Sequence, residues 1–549
     1  MNPSKERQSL WSAMDQPWDM IIVGGGITGA GILRLAGLYG LKALLLEGRD
    51  FAFGTSSRSS KLVHGGFRYL RNGQFNVTYE SVREREWLLA AAPALVTRLP
   101  FLLPVVSNPA RKGTPGWQLG LGVWIYDLMG ARWDHQHLDS PAFIQQCPSF
   151  RTQGLDNGYR YYDAQVDDAR LVLRLLHEAV CAGGNALNYA RVERLLRTAD
   201  GQVCGVLVRD TSSPAGQTLE LHARLVINAT GPWGDELRSQ VSGEPRLRKL
   251  RGSHLVFKQA RFPVDQAVTL FHPRDNRAFF VLPWEGTTVA GTTDVDHTHQ
   301  ESWDEEPFAG REEIAYLLEA LRYFFPSLDL SENDVLSSFA GLRPIVKQGD
   351  MSPSKASRAH SLWQEDGLLT ITGGKLTTFR RMARHVLEAA RSYLPDMPAR
   401  PAGELFDPLP QGSPPSWLSP GNYAYLAGRY GADTPAVLAA CAGAGGGSVP
   451  GLPTRWGELS WAAGCEWAEH LDDLLLRRTR LGLLLPNGGL DCIHAIRLAV
   501  QPVTGWHDAR WEQEVARYSA IWERFYSPYP APVGSLTQAT RLRSLAAVE

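Results

Sequence analysis

Near its amino terminus the chain alternates apolar runs with glycine-rich breaks. The runs at residues 20–23 and 41–46, the second interrupted only by Lys42, do not alternate with polar positions. Such runs predict strands buried on both faces of a parallel sheet. Gly24, Gly26 and Gly29 lie between them and lead into a helix over residues 30–38. Residues 77–91 set Val82, Trp87, Leu88 and Leu89 among charges at the spacing of a half-buried helix,. Pro93, Pro100 and Pro104 then break the chain, and residues 159–180 return to the first domain. There Val166-Asp-Asp-Ala-Arg170 opens a helix whose dipole favours its early carboxylates,.

From residue 250 to 339 the pattern becomes short β-branched or aromatic runs, at 253–258, 268–272, 278–283 and 287–292. Asp275-Asn276 and Glu285-Gly286 separate them, which predicts an inserted antiparallel sheet, with a helix over 311–325 on its back,. Pro395, Pro398, Pro401, Pro408, Pro410, Pro414, Pro415 and Pro420 make residues 395–421 a linker,. Beyond it helices are expected over 423–430, 436–441, 461–485 and 509–525, the last with Val515, Tyr518, Trp522 and Phe525 on one face,. Residues 442–447 form a glycine turn, and no internal repeat is found.

The first seventy residues carry chemistry as well. A strand, a glycine triplet and a helix whose free amides face an anion form a pyrophosphate grip. Glu47 ends the second strand, where a carboxylate takes both hydroxyls of an adenosine ribose and disfavours a 2′-phosphate,. An FAD site must also hold a ribityl chain and a flavin ring, so it recruits further small-residue turns. Two are present, at residues 223–233 and 368–380. Helix amides after Gly374 suit the flavin edge that gains negative charge on reduction.

Eight ordered motifs carry a family resemblance: Gly24-Gly-Gly-Ile-Thr-Gly-Ala-Gly31, Thr55-Ser-Ser-Arg-Ser-Ser-Lys-Leu-Val-His-Gly-Gly-Phe-Arg-Tyr-Leu70, Val166-Asp-Asp-Ala-Arg-Leu171, Asn228-Ala-Thr-Gly-Pro-Trp233, Arg251-Gly-Ser-His254, Gly291-Thr-Thr-Asp294, Gly341-Leu-Arg-Pro344 and Gly373-Gly-Lys-Leu-Thr-Thr378. Together they resemble the flavin-linked glycerol-3-phosphate dehydrogenases. A weaker resemblance continues through Asp472-Asp-Leu-Leu-Leu-Arg-Arg-Thr-Arg480. It implies an α/β fold: a Rossmann-like FAD-binding domain with an inserted antiparallel substrate domain, as in glutathione reductase and D-amino-acid oxidase, and a carboxy-terminal helical domain. The expected division is 18–85, 155–245 and 340–394 for FAD, 86–154 and 246–339 for the substrate cap, 395–421 for the linker and 422–549 for the helical domain.

The implied activity is oxidation of sn-glycerol 3-phosphate to dihydroxyacetone phosphate. Hydride passes from C2 to flavin N5, and electrons go on to a quinone. For FAD the expected contacts are Gly24, Gly26, Gly29, Glu47, Thr55, Ser56, Ser59, Ser60, Lys61, His64, Gly65, Gly66, Thr230, Gly231, Trp233, Gly341, Gly374, Lys375, Leu376 and Thr377. A phosphate anchor needs cations. The resemblance assigns Arg343 to the oxygens at the reacting carbon, and Arg68, Arg358 and Lys375 to the phosphate. Arg343 also stands before Pro344, in an extended turn that can aim a guanidinium inward,. Tyr69 and Thr378 are further candidates for substrate contact, each with an ordinary structural role as the alternative. His254 is the expected base, with His64 beside Gly65-Gly66 as its rival,. Arg58 stands where a small residue is expected, and its charge faces either the cofactor or water.

Composition narrows the classes. With 56 Lys and Arg against 57 Asp and Glu there is no basic field for nucleic acid,. At 549 residues the chain should divide into two or three domains,. Cys147, Cys181, Cys204, Cys441, Cys465 and Cys492 are scattered without a Cys-x-x-Cys pair, so neither a metal nor a cluster is expected, and reduced thiols indicate a cytoplasmic setting,. Residues 1–17 lack a signal-like apolar core, and no run reaches the length of a membrane span,. Residues 117–133 fit a buried helix or one lying in a lipid headgroup layer; the resemblance implies peripheral contact with the cytoplasmic face of the inner membrane. Monomer and homodimer both stand open. So do two other activities: an oxidase of an amino acid or hydroxy acid using O₂, and a flavin-bearing scaffold without turnover.

Overall fold

The computed structural model describes residues 3–66, 75–107, 116–213, 216–297, 306–347, 360–394 and 396–529. Strand Trp18–Val23 lies in an eight-stranded sheet, parallel to Ala43–Leu46 on one side and to Thr218–Asn228 on the other. Asn185–Leu187 and Leu368–Gly373 extend it in parallel, and His360–Glu365 adds an antiparallel edge. Met20, Ile22 and Leu45 pack on helices Ile27–Leu38, Asp168–Cys181 and Phe379–Ala390. Ile21, Val23, Leu44 and Leu46 face the other way, under the ribbon Ala190–Arg197 and Val203–Asp210. Both faces are covered, which is why these runs are apolar at nearly every position.

Trp11 and Met14 also bury themselves in that second face, carried there by helix Pro3–Ala13. This element went unexpected, because its apolar residues are too few for a helical stripe.

A second, ten-stranded sheet forms over this layer, with Leu247–Lys258 paired antiparallel to Val335–Val346 and to Thr287–Gly291. Asn276 and Glu285 take the left-handed conformation in the expected hairpin turns, at φ of 61° and 49°,. Three strands pair across the expected domain limits. Leu155–Val166 pairs along its length with Val96–Val106, and Val335–Val346 with Leu247–Lys258, so both strands belong to the second sheet rather than the FAD layer. The third is Leu62–Val63, which pairs with Ala164 and Gln165 at that sheet's edge. The sheet also holds one parallel pairing, Ala267–Phe271 with Val96–Val106.

The carboxy-terminal helices Pro420–Tyr430, Thr434–Gly443, Trp456–Cys465, Ile493–Thr504 and Asp508–Phe525 pack onto both layers. The single helix expected over 461–485 is broken. It ends at Cys465, Trp467 and Arg480 adopt positive φ, and a wide helical turn spans Asp473–Arg478. The physical reason is charge: Glu466, Asp472, Asp473, Arg477, Arg478 and Arg480 are all buried, and the backbone follows their ion pairs,.

Those pairs bolt the carboxy-terminal unit to the first layer. Arg478 forms a fork on Asp50, with Nη1 to Oδ2 at 2.6 Å and Nη2 to Oδ1 at 2.7 Å. Arg480 donates to Asp167 from Nε at 3.0 Å and from Nη2 at 2.9 Å, and also to Asp168 and the Ser57 carbonyl. Arg170 reaches back to Glu466, and Arg429 Nη2 donates to Asp167 at 3.1 Å. Asp167 caps helix Asp168–Cys181, so the expected dipole role holds but is the lesser part of its bonding.

No disulfide is found among the described residues. Cys147 and Cys441 are buried, and Cys181 and Cys465 are exposed. Helix Gly116–Gly130 divides its faces: Val123 and Tyr126 are buried, whereas Leu121, Trp124 and Leu128 are 45–50% exposed. It is neither wholly buried nor wholly free.

Candidate active site

A cavity of about 490 Å³ runs between the two sheets. Gly24, Gly26, Ile27, Thr28, Glu47, Gly48 and Arg49 line it, and so do Arg343, Gly374 and Lys375. Gly24 has φ 115°, and a Cβ there would stand 2.6 Å from the Ala229 carbonyl oxygen. Gly29 lies behind the wall, where a Cβ would come within 1.9 Å of the Gly24 carbonyl oxygen. Its part is to let helix and turn close up. Glu47 accepts from the Gly25 amide at 2.7 Å and the Arg49 amide at 2.9 Å, and burial raises its pKa against those two bonds.

Thr55, Ser56, Ser59, Ser60, His64, Gly66, Thr230, Gly231, Trp233, Gly341, Leu376 and Thr377 also line the cavity. Ser56 Oγ accepts from the Ile27 amide at 2.9 Å, and the Thr55 hydroxyl donates to the Leu342 carbonyl. Ser59 is fixed from behind by Asp168 Oδ2, which takes its amide at 2.9 Å and its hydroxyl at 2.7 Å.

Four expected contacts do not reach the wall, Gly29 aside. Lys61 is fully buried, with Nζ donating to Asp168 at 2.9 Å and to the Ser57 carbonyl at 2.6 Å. It is a strut beneath the loop, and burial lowers its pKa to about 8. Gly65 packs under Tyr126 and Val82, its amide bonded to Asp163 Oδ1 at 3.2 Å. Thr378 bonds the Lys375 backbone at the start of a helix. His254, the expected base, is 1% exposed and sits behind Ser60, with Nε2 2.8 Å from Ser60 Oγ. Its rival His64 does line the cavity. Arg68, Tyr69 and Arg358 lie outside the described residues.

Arg343 is aimed by its neighbours. Nη2 donates to Thr292 Oγ1 at 2.8 Å, and Nη1 to the Thr293 carbonyl and to Asp294 Oδ1, both at 3.1 Å. The Gly291-Thr-Thr-Asp294 motif thus supplies the socket, a role its sequence alone did not announce. Lys375 Nζ donates to Ser81 Oγ at 2.8 Å and lines the same cavity.

Two further residues of the wall are Arg58, whose place the sequence left open between cofactor and water, and Asp163. Arg58 is buried, donating from Nη2 to Glu306 at 2.6 Å and to Tyr526 Oη at 2.8 Å, so its charge does not face water. Its Nε and Nη1 have no partner among the described residues. Asp163 accepts from Tyr126 Oη at 2.6 Å and Arg85 Nη1 at 2.7 Å, besides Gly65, and burial raises its pKa. A single acid in an otherwise ordinary strand gave no signal.

These residues fit a flavin nucleotide. The glycine turn leaves no room for side chains where a pyrophosphate passes, Glu47 suits a ribose, and Arg58 keeps bare donors at the wall. Such a cradle between a parallel sheet and an antiparallel cover defines a flavin-dependent oxidoreductase.

Comparison with known proteins agrees. Residues 19–400 match the FAD dependent oxidoreductase family (DAO), and residues 370–511 match the C-terminal domain of alpha-glycerophosphate oxidase. An aerobic glycerol-3-phosphate dehydrogenase of Bacillus subtilis is 38% identical over 71% of this chain and 70% of its own. Glycerol-3-phosphate dehydrogenase 2 of Mycobacterium bovis is 33% identical over 94% of this chain and 90% of its own. The crystal structure of the glycerol-3-phosphate dehydrogenase from Bacillus halodurans, complexed with FAD, superposes with a TM-score of 0.73 at 27% identity, covering 96% of this chain and 99% of that one. The chain belongs to the FAD-dependent oxidoreductases and, within them, to the glycerol-3-phosphate dehydrogenase family. FAD is its cofactor.

Proposed function

We propose that the chain oxidises sn-glycerol 3-phosphate to dihydroxyacetone phosphate, FAD accepting the C2 hydrogen as hydride at N5, with the electrons passed to a quinone. The observation that carries this reading is that Arg343 and Lys375 open on the same cavity as the Gly24–Glu47 cradle. Arg343 serves the oxygen on the reacting carbon, where negative charge gathers as the proton leaves. Lys375, with Arg68 and Arg358, holds the phosphate; Tyr69 and Thr378 complete the assignment, Thr378 by holding the Lys375 backbone. The wall residues from Thr55 to Gly66, from Thr230 to Trp233 and at Gly341 hold FAD. Lys61, Gly65 and Gly29 support it from behind.

The test is anaerobic addition of glycerol 3-phosphate to FAD-loaded protein. Bleaching of the yellow band is expected. An unchanged band, in a sample that dithionite bleaches, overturns the reading; bleaching by an amino acid or hydroxy acid instead favours an oxidase. Glu47→Gln is expected to weaken FAD retention about tenfold, by loss of one charge-assisted ribose contact, measured by flavin fluorescence on dilution.

Delivery to a quinone calls for a lipid surface, and an apolar face supports one. Leu121, Trp124, Leu128 and Trp133 are 45–57% exposed, and Phe75 and Tyr79 on the neighbouring helix Phe75–Ala91 are each 51% exposed. Arg132, paired with Glu86, and Arg381, paired with Glu80, lie exposed beside the same helices. Among the described residues no helix is long and apolar enough to cross a membrane. Trp124→Glu with Leu128→Glu is expected to cut co-sedimentation with anionic vesicles at least tenfold while leaving FAD content unchanged.

A further inference from the structure

His254 is shut away from the cavity, yet one atom connects it. Its ring stacks on Phe339 with centroids 4.7 Å apart and planes 10° from parallel. The other face has room only because residue 291 is glycine: a Cβ there would stand 2.4 Å from His254 Cδ2. Nδ1 is buried without a hydrogen-bond partner among the described residues. The imidazole therefore has a single outlet, Nε2, and that outlet is Ser60 Oγ at 2.8 Å. Ser60 in turn lines the cavity, as do His64 and Arg343.

We infer that Ser60 is the group that takes the substrate proton, handing its own to His254, so that a serine and a buried histidine act as one base. The inference rests on the glycerol 3-phosphate reading. As the C2–H bond breaks and its hydride goes to FAD, the substrate O–H proton passes to Ser60 Oγ. The proton that Ser60 held passes to His254 Nε2, and the substrate is left with a C=O bond. Ser60 ends neutral, and the positive charge rests on the imidazole.

The surroundings keep that ring neutral, with its Nε2 lone pair free for the Ser60 hydroxyl, and disfavour the imidazolium once it forms,. Burial, then the charges of Arg343 on strand Val335–Val346 and of Lys61 on the loop below, push its pKa well below 6.5, so it is neutral at pH 7. Asp294, which follows strand Thr287–Gly291, is engaged with Arg343. An acceptor that does not touch the substrate also explains why a histidine is sealed so near a cavity lined by a second one.

Stopped-flow reduction by glycerol 3-phosphate under argon tests the relay. Ser60→Ala is expected to slow bleaching at least 10²-fold, in the range for loss of a positioned base. Ser60 is one of many wall groups placed to hold FAD, so retention should fall by less than about tenfold, far short of the loss of rate, and Ser60→Thr should recover the rate to within about tenfold. His254→Phe, which keeps the stack on Phe339, should slow bleaching as much, and the double variant no further, since a unit is lost only once. The acid limb of the wild-type rate profile should vanish in Ser60→Ala. Bleaching of Ser60→Ala within threefold of wild type, a loss that merely follows lost FAD, or additive single effects overturns the relay alone. A wild-type band untouched by glycerol 3-phosphate overturns the functional reading as well.

Discussion

Replacing Arg480 by leucine is expected to cost about 3–5 kcal/mol of stability and to release FAD, because it leaves buried carboxylates without their partner. Arg480 is 1% exposed and bonds Asp167, Asp168 and the Ser57 carbonyl. Asp168 passes the effect on, since it fixes Ser59 and Lys61 beneath the cavity wall. Urea unfolding followed by flavin fluorescence checks both parts; an unchanged midpoint with full FAD retention refutes the coupling.

The same bolts give a pH dependence of definite sign. Burial raises the Asp167 carboxyl, but the Arg480 and Arg429 charges outweigh it and hold its pKa below the ordinary 3.8. A depressed carboxylate contributes stability above pH 3.8 that is lost as pH falls through the folded value. Asp473 has the opposite sign: burial, then Asp50 and Asp472, raise it to about 6. Its contribution is present below 3.8 and fades as pH rises towards 6. Acid titration of FAD release should therefore begin below pH 4, and Asp167→Asn should remove part of it.

The second large effect is expected at the chemistry. Arg343→Ala should slow anaerobic reduction by about 10²–10³-fold, the range for removing one preorganised donor at a developing oxyanion. FAD retention should change less than threefold, because Arg343 is held by Thr292, Thr293 and Asp294 rather than by the glycine cradle. Arg343→Lys keeps charge but not the fork and should fall between the two. Equal losses of rate and of FAD would count against the assignment.

Where the sequence was informative, one local rule acted at a time. The glycine triplet, Glu47 and the apolar runs were legible because turn sterics, ribose recognition and burial on both faces each leave a pattern within a few residues. The hairpins at Asn276 and Glu285 were legible for the same reason. What stayed hidden depends on remote partners. Lys61 reads as a cofactor contact within its motif, yet Asp168 claims it from 107 positions away. Arg58 could be placed only once Glu306 and Tyr526 stood beside it. The helix expected over 461–485 breaks for charges whose mates lie in the first layer, Asp50 among them. Leu155–Val166 and Val335–Val346 join the second sheet through partners far off in sequence, which no local pattern announces.

Asp163 ties the half-exposed helix Gly116–Gly130, through Tyr126, to the loop that carries His64 and Gly65. A bilayer pressing on Trp124 would therefore lean on the chromophore's own surroundings. If the proposed docking occurs, the visible absorption of the pigment is expected to shift on adding vesicles, an optical gauge that needs no added label.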